Sequence, residues 1–129
     1  MPLKDPEARR AYHREYMKKR FATDEDAKQK QLARVRVNNV RYNMEKRAWV
    51  DDYLAVHPCV DCGEADIEVL DFDHVRGTKT ANVSNLTRKG HSLTRLKAEV
   101  ALCEVRCSNC HRRITRRRER ALLVVPIDE

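Results

Sequence analysis

Two Cys-x-x-Cys pairs, Cys59/Cys62 and Cys107/Cys110, are the residues with the most definite chemistry in this chain. A gap of two residues lets one tight turn deliver two thiolates to a tetrahedral ion at about 2.3 Å, and two such turns close a four-ligand site. The spacing predicts structural Zn²⁺ held by Cys59, Cys62, Cys107 and Cys110. The fifth cysteine, Cys103, is expected as a buried thiol, with substitution for Cys107 as the alternative. An odd count in a Lys/Arg-rich chain without an apolar leader argues against a secreted disulfide framework and for a reducing, cytoplasmic setting.

A second chemistry lies between the pairs. Leu70-Asp71-Phe72-Asp73-His74 places a carboxylate beside an imidazole, and His111 directly follows Cys110. Cleaving a phosphodiester requires a proton acceptor for the attacking water and a positive charge for the phosphate oxygens and the departing alkoxide. A histidine serves the first need near neutral pH and a divalent ion the second. On an extended segment Asp73 and His74 point to opposite sides, so one can bind an ion while the other faces the water. His111 is the natural second metal ligand, and Asp71 an extra ligand or an outer partner.

Composition limits the scaffold. The 129 residues are 41% hydrophobic, 36% charged and 5% aromatic, which suits one small core that needs a staple. Charge is segregated: residues 1–50 carry 14 Lys/Arg against 7 Asp/Glu, residues 51–86 carry 2 against 8, and residues 87–129 carry 11 against 5. Basic flanks suit a polyanion such as DNA, and clustered carboxylates beside histidines suit a divalent cation. The run Ala121 to Ile127, interrupted by Pro126, is far short of the roughly 18 apolar residues of a membrane span, so no membrane partner is expected.

Local signals supply the elements. Asp5-Pro6-Glu7 predicts a helix start, with the helix running to about Phe21, and Thr23 with Asp26 predicts a capping box for a long helix from about Asp24 to Leu54, stopped by Pro58. The second half of that helix is expected to dock on the cysteine module. Ile67 to His74 predicts a strand and Ala81-Asn82-Val83 its hairpin partner. Ser84 and Ser92 are expected to cap helices, the latter over Leu93, Leu96 and Val100. Cys103 to Arg106 is expected to be extended, and Ser108 to about Leu122 helical. Residues 1–56 are expected as a basic helical arm and residues 57–129 as the core.

Asp73-His74, then Asn82, then Cys107-Ser108-Asn109-Cys110-His111-Arg112-Arg113 resembles the HNH endonuclease motif in its zinc-stapled, phage-associated form, over residues 57 to 118. The resemblance implies an α+β fold: a small zinc-stapled ββα-metal, or His-Me finger, core with a helical N-terminal extension. It implies a DNA endonuclease of low sequence specificity, leaving 5′-phosphate and 3′-hydroxyl ends. His74 would be the general base, Asp73 and His111 would bind Mg²⁺ or another divalent ion such as Mn²⁺ or Ni²⁺, and Asn82 would pin the loop that aims His74. Asp73 stands where the family's name has His, as in recombination endonucleases and the HNH domain of RNA-guided nucleases. Those relatives place Asn where this chain has His111, which keeps Asn109 open as the ligand, and Asn85 ranks behind Asn82.

Arg76, Arg112, Arg113, Arg116 and Arg117 are the expected nucleic-acid contacts, largely to backbone phosphates. Arg9, Arg10, Arg14, Lys18, Lys19 and Arg20 can extend that footprint or bind a protein. Phage packaging or replication proteins are candidate partners, and the oligomeric state is left open. A non-catalytic, zinc-stapled nucleic-acid-binding module is the alternative reading.

Overall fold

Asp5 begins the first helix as its side chain accepts from Glu7 N at 3.2 Å and Ala8 N at 3.0 Å, with Pro6 at a position that needs no donor. The computed structural model describes residues 4–88 and 90–124, so Val125 to Ile127 of the apolar run lie outside the described residues. Helix α1 spans Pro6–Thr23 and buries no residue. It ends at Asp24, which leaves helical geometry at φ −128°, ψ 90°. Asp24 then accepts from Ala27 N at 2.9 Å to start α2, Glu25–Ala55. The expected capping box at Thr23 does not form: the Thr23 hydroxyl turns back to the carbonyls of Lys19 and Arg20.

The chain divides into two compact units, Met1–Arg41 and Tyr42–Glu129, so the second begins within α2 rather than after it. In the second unit α2 ends in a turn before Pro58, with His57 Nδ1 2.7 Å from the Tyr53 carbonyl and the two rings stacked.

A first knuckle follows. Gly63, at φ 78°, donates to the Cys59 carbonyl at 2.9 Å, while Cys59 N donates to Glu64 O at 2.9 Å. Side chains with a Cβ rarely adopt that conformation, which explains a glycine directly after Cys62. Asp66 then accepts from Glu68 N, drawing Ile67–Val69 into a single 3₁₀ turn, so strand β1 is Leu70–His74, shorter than expected.

The partner of β1 is not the expected Ala81–Val83 segment. Asn82 starts a short helix α3, Val83–Leu86, whose Val83 and Leu86 are buried against helix α4, Leu93–Val100. Burying those two side chains favours a helical turn over an edge strand there. The antiparallel pairing goes to β2, Cys103–Cys107, in the register Leu70↔Cys107, Asp71↔Arg106, Phe72↔Val105, Asp73↔Glu104 and His74↔Cys103. Ser92 caps α4 through Arg95 N, and helix α5 runs Ser108–Leu122 directly from β2. The result is a mixed helical fold with a small two-stranded sheet, α+β in class, with α3 and α4 inserted between the strands.

Two apolar clusters hold this unit. Leu54, Leu70 and Val105 pack around Cys59, Cys107 and Cys110, while Val83, Leu86, Leu96 and Val100 pack with Cys103. Val50, Tyr53 and Phe72 touch both and join them across the sheet. Cys103 is buried as expected, its thiol 3.4 Å from the Glu99 carbonyl and pushed up to about 11 by burial.

Candidate functional site

The four sulfurs of Cys59, Cys62, Cys107 and Cys110 lie within 4.8 Å of one another. Cys62 and Cys107 are 3.7 Å apart, close to the roughly 3.8 Å edge of a tetrahedron built on zinc–sulfur bonds of about 2.3 Å. All five cysteines are free thiols, three of the clustered four are buried, and the cluster can hold a metal ion such as zinc. Burial would raise the Cys59 thiol, but backbone hydrogen bonds from Cys107, Cys62 and Asp61 bring it down to about 6. Val60 N donates to Val105 O at 3.0 Å, which ties the first knuckle to β2. Cys107 also serves as N-cap of α5, its sulfur accepting from Cys110 N at 3.4 Å. The cluster thereby sets the direction in which α5 leaves the sheet.

That direction brings His111 to β1. His111 Nε2 is 3.6 Å from Asp73 Oδ1, and its Nδ1 is 3.6 Å from Asp71 Oδ2. Asp71 therefore stands behind the ring, on the nitrogen away from Asp73. An outer carboxylate in that place orients a ligating imidazole. Asp73, His74 and His111 line one cleft of about 680 Å³ together with Asn82, Lys79 and Arg47.

Asp73 is 3% exposed and heavily engaged. Its Oδ2 accepts from Arg106 Nη1 at 2.6 Å and Arg118 Nη2 at 3.0 Å, and its Oδ1 from Arg118 Nη1 at 2.9 Å. Burial alone would raise its pKa, but the Arg118 hydrogen bonds and the nearby charges of Arg118, His111 and Arg106 hold the carboxyl below its usual range. Arg106 is a hub, bonded also to Asp61 at 2.8 Å and Glu104 at 2.8 Å. Since Asp61 lies between the two cysteines of the first knuckle, the thiolate cluster and Asp73 share one polar network.

Asp73 Oδ1 and His111 Nε2 offer an oxygen and an imidazole nitrogen at a separation that one cation can bridge. A carboxylate oxygen and an imidazole nitrogen are both donors to first-row divalent ions, the oxygen suiting Mg²⁺ and Mn²⁺ and the imidazole Ni²⁺ or Zn²⁺, so the pair could contribute two ligands to such an ion. Arg118 holds the same oxygen and must turn aside for it. Its side chain is 46% exposed and free to do so. Among the described residues, the cysteine set is the only group of three or more His, Cys, Asp or Glu atoms near enough to share an ion.

The other expected residues lie as follows. His74 Nε2 is 2.9 Å from Glu99 Oε1. Asn82 precedes α3, makes no side-chain capping bond and lines the cleft. Asn109 faces a shallow depression with Arg112, Arg113 and Arg116, away from Asp73, whereas His111 faces the cleft. Arg76 ties the end of β1 to the carbonyls of Ala101 and Cys103, at 2.6 and 3.2 Å. Arg112 and Arg116 also border a groove with Asp71 and His111, and Arg117 is exposed.

Sequence reasoning missed Glu99, Arg106 and Arg118. Arg118 follows His111 by seven residues, two helical turns on the same face, a spacing that signals a shared target. Glu99 lies between Leu96 and Val100 on the apolar stripe of α4, a position where an acidic residue signals a buried partner. Arg106 faces Asp71 in the sheet register, but its reach to Asp73 follows only from the pairing of β1 with β2.

No helix among the described residues is long and apolar enough to cross a membrane. Compared with protein-family models, curated proteins and solved structures, the chain matches none.

Proposed function

We propose that this protein is a metal-dependent DNA endonuclease of the HNH type, with β1, β2 and α5 serving as a ββα-metal finger around structural zinc. The observation that carries the reading is the meeting of Asp73 from β1 with His111 from α5, 3.6 Å apart beside His74 in one cleft, with the four-cysteine cluster at the root of both elements. Asp73 and His111 would hold a divalent ion, which supplies positive charge to the phosphate oxygens and the departing alkoxide. His74 takes the proton of the attacking water as its oxygen bonds to phosphorus and the bond to the 3′ oxygen breaks, leaving 5′-phosphate and 3′-hydroxyl ends. Asp71 keeps the His111 ring turned toward Asp73. Lys79 and Arg47 line the cleft with charge suited to the flanking phosphates, and Arg112, Arg113, Arg116 and Arg117 track the backbone along α5, which favours low sequence specificity.

The alternative, a zinc-stapled module that binds nucleic acid without cutting it, draws on the engagement of Asp73 by two guanidinium groups. One comparison separates the two. Wild-type protein should nick plasmid DNA in Mg²⁺, Mn²⁺ or Ni²⁺, and His74→Ala should lose about 100-fold or more of that rate with zinc content and DNA affinity unchanged. DNA binding without cleavage by the wild type in all three ions would establish the binding module instead.

A further inference from the structure

Glu99 is 4% exposed on the face of α4 that buries Leu96 and Val100. An ionised carboxylate in such a place is costly unless donors surround it. Four polar atoms do. Glu99 Oε1 accepts from Thr80 N at 3.0 Å and Ala81 N at 3.4 Å and meets His74 Nε2 at 2.9 Å, while Oε2 accepts from the Thr80 hydroxyl at 2.7 Å. The Thr80 hydroxyl bond, acting against burial, together with the Thr80 and Ala81 amides, holds the carboxyl down to about 2. An ionised carboxylate has no hydrogen to donate, so the bond to His74 exists only if Nε2 carries the proton. In a neutral imidazole the lone pair then resides on Nδ1, which has no hydrogen-bond partner among the described residues, on a ring that lines the cleft.

We propose that Glu99 is the positioning residue for His74, confining the imidazole to its Nε2–H tautomer so that Nδ1 is the proton acceptor offered to the cleft. The inference rests on the reading of His74 as general base. It differs from a loop-anchoring role, in which Glu99 would serve only to tie Thr80 and Ala81 to α4.

Long-range ¹H–¹⁵N correlation on ¹⁵N-histidine-labelled, zinc-loaded protein, at a pH where the imidazole is neutral, reads the tautomer directly. His74 is expected as Nε2–H. Glu99→Leu should let the second tautomer appear and lower kcat about 100-fold at unchanged KM, whereas Glu99→Gln, which keeps an acceptor for Nε2–H, should recover kcat to within about 10-fold of wild type. A wild-type His74 in the Nδ1–H form, a Leu variant with wild-type kcat, or a Gln variant as impaired as the Leu variant would each overturn the proposal. Should the Leu variant fail to fold, the wild-type spectrum decides. Absence of cleavage by the wild type would instead overturn the nuclease reading itself, so the two failures are distinct.

Discussion

At the scale of single residues, the cleft is governed by which charged groups are committed to one another. Asp73 is shared between Arg106, 8% exposed and also bonded to Asp61 and Glu104, and Arg118, whose side chain is half exposed. The first is a fixture and the second is movable. Arg118→Ala is therefore expected to lower the divalent concentration needed for half-maximal cleavage several-fold, because Oδ1 loses its competing cation; titrating nicking against Mg²⁺ checks this. Glu99 makes a separate pH prediction. Its folded pKa lies below the unfolded value, so its contribution to stability is complete above about pH 4.5 and fades as pH falls toward 2. The thermal midpoint of the wild type should drop more steeply over that window than that of Glu99→Gln. Asp73, also depressed, adds to the same acid loss. The cysteines and His111 were legible because their relation is local, a two-residue turn and the next residue of a helix. Glu99, Arg106 and Arg118 reach the site only through tertiary packing, which no short-range spacing reports.

At the scale of elements, the thiolate cluster joins the turn at Cys59 to the junction of β2 and α5. Besides the cluster, the first knuckle is tied to the sheet by Val60 N to Val105 O and by the Asp61–Arg106 ion pair. Cys107→Ala should remove one ligand and the N-cap sulfur of α5 together, and because metal binding and folding are coupled the second unit is expected to unfold. Circular dichroism with zinc quantitation tests this; Cys103 lies at the far end of β2, in the other cluster, so a folded variant would show that the metal is not what holds the unit together. The insertion α3–α4 has its own core. Leu96, fully buried, should cost about 2–5 kcal/mol on replacement by Ala, measured by denaturant unfolding. Helices α1, α4 and α5 were readable from caps and periodicity. The strand pairing was not: β1 finds its partner beyond two intervening helices, and in Ala81-Asn82-Val83 only Val83 is a strand former, its burial beside Leu86 against α4 favouring a helix instead.

At the scale of the whole molecule, charge is sorted along the chain, with an acidic middle that holds Asp71 and Asp73 and basic stretches before and after it. Binding that runs through phosphates should weaken with salt, and each phosphate contact removed should flatten the log–log slope by about 0.9 on duplex DNA. Replacing Arg112, Arg113, Arg116 and Arg117 with Gln is expected to flatten it measurably, with little change in which sequences are bound; fluorescence anisotropy over a salt series reads both. The same experiment with Arg9, Arg10 and Arg14 replaced tells whether α1 contributes to the footprint.

On the proposed function the protein carries two unlike metal sites, one permanent and thiolate-bound, the other exchangeable and directed at a phosphate. The most direct test is metal quantitation and plasmid nicking on one sample passed through gel filtration in chelator-treated buffer. One zinc per chain should persist with no nicking, and adding Mg²⁺, Mn²⁺ or Ni²⁺ should start it. Nicking at full rate by the zinc-only protein, or none after any of the three ions is added, would contradict the claim.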